Sequence, residues 1–248
     1  GEPIAPADAL IGGLATIDGR NVVVGCEDFT VMGGSIGHAT NAKKIRLASL
    51  ALQERLPFIS LLEGSGERTS NALSRHPYAP SDMQILAKLS GIVPTVALIV
   101  GPSAGHGAIT GMLKDFIVMT SDACLFAAGP PLVEAALGEK ISKQALGGAA
   151  MHTSVSGVAH NQVDDFLQGV RLVRKYLSFF PASAYQLVAH KQSALSQSRN
   201  LVEVFDIVPN DDRIAYDMHK LIDLVVDDSD DCIEIQPDYG RSIITSLA

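Results

Sequence analysis

Residues 95–100, Thr-Val-Ala-Leu-Ile-Val, are six consecutive apolar or β-branched side chains that lead into Gly101-Pro102 and then Ser103-Ala-Gly-His-Gly107. Six residues are too few for a helix, and turn formers bound the run, so it reads as a strand buried on both faces and stopped at Gly101-Pro102. Gly105, His106 and Gly107 then open a helix, with Ala108, Met112 and Leu113 available for packing. A strand that breaks at glycines into a helix leaves backbone N–H groups without intrahelical partners. Together with the positive end of the helix dipole, those donors suit an anion or a developing oxyanion.

The same unit of strand, glycine-rich turn and helix recurs at 29–55 and 57–68 as well as 95–114. Three such units fit an open doubly wound sheet or a spiral of strands and helices, and periodicity does not separate the two. The chain has 248 residues, enough for a sizeable core, and 47% of them are apolar against 19% charged. A net charge of −8 and no long basic run argue against nucleic acid as a partner. No apolar run is long enough for a membrane-spanning helix. Cys26, Cys124 and Cys232 are odd in number and far apart, with no C-x-x-C pair, which suits a reducing, cytoplasmic setting and argues against a zinc ribbon.

In chain order, residues 10–17 and 21–26 flank Asp18-Gly19, a hairpin signal of the type I′ kind. Residues 29–32 read as a short strand ending at Gly33-Gly34-Ser35-Ile36-Gly37. A helix follows over 38–55, with Ile45, Ala48, Leu52 and Leu56 on its inner face and Lys43, Lys44 and Arg46 on its exposed sides. Pro57 precedes a buried strand at 58–62 that runs into Glu63-Gly-Ser-Gly-Glu-Arg68, and 69–80 is a polar loop. Asp82 caps a helix whose Met83, Leu86, Leu89 and Val93 face inward. Further strands are expected at 116–119 and 125–127, and helices at 130–137 and 139–146. The pattern from Val163 to Phe180 is the clearest amphipathic helix. Residues 183–210 connect it to a helix ending near 225, and Asp227-Asp-Ser-Asp-Asp231 is an acidic linker.

Enolate chemistry needs donors aimed where charge develops. Two glycine turns offer them: Gly64-Ser65-Gly66 and Gly105-His106. If their strands are neighbours, both turns open on one sheet edge and a thioester oxygen can sit between one N–H from each; the alternative is a pair of structural β-to-α turns. His106 is the titratable side chain inside the second turn, and its backbone N–H matters more than a role as general base, because no carboxylate partner lies nearby in sequence. Ser65 and Ser103 lie outside any G-x-S-x-G elbow. Gly33 to Gly37 matches neither the dinucleotide nor the P-loop pattern and reads as a structural turn. His152 and His160 lack ligand spacing, so no metal is expected.

Ile17-Asp-Gly-Arg20 and Glu27-Asp-Phe-Thr-Val-Met-Gly-Gly-Ser-Ile-Gly37 are followed in order by Gly101-Pro-Ser-Ala-Gly-His106, Leu113-Lys-Asp-Phe116, Ala128-Gly-Pro-Pro-Leu-Val133, Leu146-Gly-Gly148 and Ser156-Gly-Val-Ala-His160. Val208-Pro-Asn-Asp211 and Ile233-Glu-Ile-Gln-Pro237 continue the series. Together they resemble the N-terminal half of the carboxyltransferase (β) subunit of biotin-dependent acyl-CoA carboxylases, nearest the propionyl-CoA and methylcrotonyl-CoA type. Each motif is short; their order over nearly the whole chain carries the likeness.

The resemblance implies an α/β crotonase-like spiral of ββα units, with residues 1–226 as the CoA-binding domain and 227–248 as linker and start of the biotin-side domain. It implies an oxyanion hole made by backbone N–H groups at Ser65-Gly66 and Gly105-His106. In that mechanism carboxybiotin on a carrier protein releases CO₂, and an enolate of the acyl-CoA captures it. The implied partners are acyl-CoA, a biotin carboxyl carrier or biotin carboxylase subunit, and a C-terminal half, in a homo- or hetero-oligomer. The chain is then a piece of a longer enzyme or one chain of a split one, inactive in carboxylation alone. Two departures stand out: Gly64-Ser-Gly-Glu-Arg68 replaces the usual Ser-Gly-Gly-Ala-Arg, and His106 stands where a glycine is usual. Alternatives are a crotonase-fold decarboxylase or hydrolase of acyl-CoA, and a non-catalytic subunit marked by those altered turns.

Overall fold

The computed structural model describes residues 5, 7–73, 81–188, 202–227 and 231–248. Parts of the expected 69–80 loop, of the 183–210 connection and of the acidic run lie outside them. Strands β1 (Leu10–Ile17) and β2 (Arg20–Glu27) form the expected hairpin. Asp18 and Gly19 both take left-handed φ values of 49° and 78°, as a type I′ turn demands. From β2 the sheet grows in one direction only, through β3 (Phe58–Gly64), β4 (Thr95–Ala104), β5 (Phe116–Thr120) and β7 (Asn161–Val163), all paired parallel. A doubly wound sheet reverses its strand order at a switch point. This order never reverses, so the winding is that of a spiral.

β4 does not stop at Gly101-Pro102. Its first half pairs with β5 up to Ile99, and from Pro102 it pairs with β6 (Cys124–Phe126) instead. Proline's missing N–H is tolerated there because the ladder changes partner at that point. The strand expected at 29–32 is absent for a local reason. Asp28 Oδ1 accepts from the Thr30 N–H at 3.0 Å and its hydroxyl at 2.6 Å, an Asx-type turn that folds the chain into a 3₁₀ turn at Met32–Gly34.

Helix α1 (His38–Glu54) ends at Arg55, whose left-handed φ of 56° turns the chain out of the helix. Its buried stripe is Thr40, Lys44, Leu47, Ala48 and Ala51, so the inner face is rotated from the expected one and Lys44 lies inside it. Helix α2 (Asp82–Ala87) is capped by Ser81, whose hydroxyl accepts from the Met83 N–H; Asp82 is not the cap. Its side chain points inward. Helix α3 (Gly105–Met112) follows β4, and α4 (Pro130–Leu137) has proline in its first turn and Gly138 at its C-terminus, both as expected.

Short helices α5 (Lys143–Gly147) and α6 (Ala149–Ser154) precede β7, and α7 (Phe166–Ser178) is capped by Asp165. α8 (Val204–Ile207) and α9 (Met218–Val225) lead to the antiparallel pair β8 (Ile233–Ile235) and β9 (Thr245–Leu247). Among the described residues no helix is long and apolar enough to cross a membrane.

Three apolar clusters flank the sheet. α7 packs Val173, Tyr176 and Leu177 on one face against Val96, Leu98 and Phe116, and Ile233 of β8 joins them. On the other face, α3 contributes Ala108 to a cluster with Ile99 and Met119. α1 and α2 bury Ala48, Ala51 and Leu86 against Val23 and Phe58. The two glycine turns sit at the C-terminal edge of β3 and β4, between those clusters.

Candidate functional site

β3 and β4 are parallel neighbours, paired from Phe58 with Thr95 through Leu62 with Ile99 and again at Gly64 with Ser103. Both glycine turns therefore leave the same sheet edge, and their backbones touch. A Cβ built on Gly66 would lie 2.9 Å from the Ala104 carbonyl oxygen, and one on Gly105 would lie 3.6 Å from the Gly66 Cα. Gly66 and Gly105 adopt φ of 85° and 57°, which side chains resist, whereas His106 is not among the residues with positive φ. Histidine at 106 therefore brings no backbone strain.

The four named donors are not equivalent. The Ser65 N–H donates to the Gly33 carbonyl at 2.9 Å, so it is spent inside the protein. Gly66 N–H makes no hydrogen bond among the described residues, while its carbonyl accepts from the Ile36 N–H at 2.8 Å. His106 is the second residue of α3, and Gly105 the first, so their N–H groups have no acceptor within the helix. Of the four expected donors, Ser65 thus has its N–H taken by the Gly33 carbonyl, while Gly66 faces the start of α3. The Gly33-Gly34 turn is structural, as expected: it braces the first glycine turn from outside. Arg68 adds to the brace, donating to the Ser35 carbonyl and hydroxyl and to Asp8 at 2.8–3.1 Å.

Beneath the turns lies a set of buried charges that the sequence did not announce. Glu27 Oε1 accepts from Lys44 Nζ at 2.6 Å and Oε2 accepts from the Glu63 N–H at 3.0 Å, with the two side chains 1% and 10% exposed. Glu27 thus joins the end of β2 to α1 and to the last residues of β3. The signal was available in part: positions 40, 44, 47, 48 and 51 share one helical face, with a lysine in the middle. His106 Nε2 meets Asp82 Oδ1 at 2.5 Å, and the Asp82 side chain is fully buried. Here is the carboxylate partner for His106 missing from its sequence neighbourhood, and it ties up the ring nitrogen that faces it.

Lys114 Nζ lies 4.1 Å from the Phe58 ring centroid with no hydrogen-bond partner among the described residues. Burial, helped by Lys44 and opposed by Asp82 and Asp115, pulls its pKa down to about 7. A cation–π contact of about 2 kcal/mol does not offset the desolvation of a buried ammonium. The folded pKa is below the unfolded one, so the unfolded chain holds more protons between pH 7 and 10.5, and stability rises with pH there. Denaturant unfolding across that window is expected to show a rise of up to about 1.4 kcal/mol per pH unit from this group. Lys114→Met should remove that component; an unchanged slope would refute the assignment.

Other candidates are not brought to the site. Ser103 is fully buried and its hydroxyl has no partner among the described residues. Ser65 is exposed on the outer side of its turn. His152 joins the Ser156 hydroxyl at 2.8 Å to the Leu125 carbonyl at 2.6 Å, and His160 Nδ1 accepts from the Ile117 N–H at 2.9 Å. Both histidines are structural ties, and burial pushes the His160 pKa down.

A family model described as the carboxyl transferase domain matches residues 1–248. The chain belongs to that family. This carboxyl transferase domain is 33% identical over 245 residues to the methylmalonyl-CoA carboxyltransferase 12S subunit of Propionibacterium freudenreichii subsp. shermanii, covering 99% of the chain and 46% of that protein. It is 33% identical over 245 residues to the mitochondrial propionyl-CoA carboxylase beta chain of Rattus norvegicus, covering 98% and 45%. A transcarboxylase 12S crystal structure, described as a hexamer with hydrolysed methylmalonyl-coenzyme A bound, superposes with a TM-score of 0.90 at 33% identity, covering 99% of the chain and 48% of that one. The chain spans about half the length of the curated relatives it matches. The expected family and the crotonase-like α/β fold are both met, and the one-directional sheet order is the physical form that fold takes here.

Proposed function

We propose that this domain is the acyl-CoA half of a biotin-dependent carboxyltransferase. It holds the thioester carbonyl oxygen between the N–H of Gly66 and the N–H groups that open α3, foremost that of His106. Removal of the α-proton, which the ureido nitrogen of biotin would take up once CO₂ has left it, moves charge onto that oxygen, and donors already fixed at the site stabilise it without reorganising. Carboxybiotin, carried on a partner, would supply the CO₂ that the α-carbon captures. No residue of this chain is assigned to hold biotin, and that role falls to a second half of the kind the longer relatives have. Residues 227–248 would lead toward it, with β8 docked on this domain through Ile233. Assembly into an oligomer, a biotin carboxyl carrier or biotin carboxylase partner, and a cytoplasmic setting belong to the same reading. The three cysteines form no disulfide among the described residues, which fits that setting.

The observation that carries the proposal is the contact of two left-handed glycines from neighbouring strands, with unspent N–H groups on either side. Isothermal titration with a short-chain acyl-CoA is expected to give saturable binding, with carboxylation requiring the second half. No heat of binding at millimolar acyl-CoA would remove the proposal. Efficient carboxylation by this chain with free carboxybiotin would refute the need for the second half.

A further inference from the structure

α3 is a weak helix by composition. Three of its eight residues are glycine, no side chain caps its first turn, and no acidic residue complements its dipole there. Each glycine costs about 1 kcal/mol relative to alanine in a helix, and Gly105 and Gly107 flank the donor residue on both sides. Left alone, the backbone of 105–107 has more freedom than a preorganised donor can tolerate. The one side chain in that turn able to restrain it is His106, and its ring is held by Asp82 Oδ1 at 2.5 Å.

Asp82 is well placed to act as an anchor. It is the first residue of α2, held by the Ser81 cap, and α2 and the turn after it are fixed in the core by Leu86 and Leu89. Its second oxygen, Oδ2, has no partner among the described residues, and neither has Lys114 Nζ. Both groups line a cavity of about 20 Å³, shared with Glu27, Lys44 and Thr110, and roughly 10–15 Å³ suffices for one water.

We propose that Asp82 is a positioning residue for the oxyanion site: by holding the His106 ring it fixes the first turn of α3 and aims the His106 N–H. The proposal rests on the oxyanion reading above, and its test separates the two. The probes are an acyl-CoA and a CoA thioether ending in a nitronate, which copies the charge and shape of the enolate. The variants are Asp82→Asn, His106→Gly and the double variant, and a thermal melt of each establishes that it is folded before its binding is read.

Asp82→Asn is expected to bind acyl-CoA nearly as the parent does and the nitronate about tenfold more weakly, the scale of one hydrogen bond to a charged group. His106→Gly should show the same loss, and the double variant should be no worse than either single one, because Asp82 acts through His106. Amide hydrogen exchange at residues 105–107 should quicken in each variant while exchange in β4 stays slow. Additive losses, or exchange at 105–107 unchanged in Asp82→Asn, would overturn the anchor. Failure of the parent to prefer the nitronate would instead overturn the oxyanion reading, with the exchange measurement still deciding whether Asp82 holds the turn.

Discussion

Gly66→Ala is expected to cost the domain its preference for an enolate mimic over a ground-state acyl-CoA by about 100- to 1000-fold, the loss that follows removal of one oxyanion donor. Two effects combine. At φ 85° an L side chain adds about 1–2 kcal/mol of strain. The new Cβ would also sit 2.9 Å from the Ala104 carbonyl oxygen, which is backbone and cannot rotate aside. The first turn must therefore retreat from the second, and the gap between the Gly66 and His106 N–H groups widens. Titration of acyl-CoA and of the nitronate ligand measures the ratio, and a thermal melt confirms that the variant is folded. A folded Gly66→Ala protein with the parent's ratio would show that the touching turns are only structural.

Glu27→Ala is expected to be the most destabilising single change in the buried polar set, by about 3–5 kcal/mol. It leaves Lys44, whose side chain is 10% exposed, as an uncompensated charge and takes the acceptor from the Glu63 N–H. The measurement is denaturant unfolding of the single variant and of Glu27→Leu combined with Lys44→Met. Replacing a buried ion pair by apolar groups is often close to neutral, so the double variant should recover most of the loss. Equal loss in both would mean that the hydrogen bond to Glu63, and not the charge pair, holds the end of β3. A single variant as stable as the parent would remove Glu27 from any role in bracing the site.

The hairpin, α1, β3, the core of β4 and α4 were legible because each obeys a rule acting over a few residues. Asp18-Gly19 needs left-handed φ, Pro130-Pro131 and Gly138 mark the two ends of a helix, and residues 95–99 are an unbroken apolar or β-branched run that the fold buries. Misreadings arose where a neighbour in space decided the outcome. Pro102 sits inside a strand because β6 takes over from β5 beside it. Lys44 faces inward because Glu27 waits there, 17 residues away. Asp82 left the cap to Ser81 because His106, 24 residues on, binds it from the core side.

The sequence alone determined the family and where the two glycine turns fall, since motif order and turn chemistry are local properties that survive in a linear reading. Which donors remain free was decided only by the tertiary structure. Ser65 and Gly66 are adjacent and equally plausible on paper, yet the packing of the 33–34 turn under β3 consumes one N–H and spares the other. A backbone donor has no side chain to advertise its state. Its availability depends on which carbonyl the fold brings opposite it, and sheet register and helix packing set that.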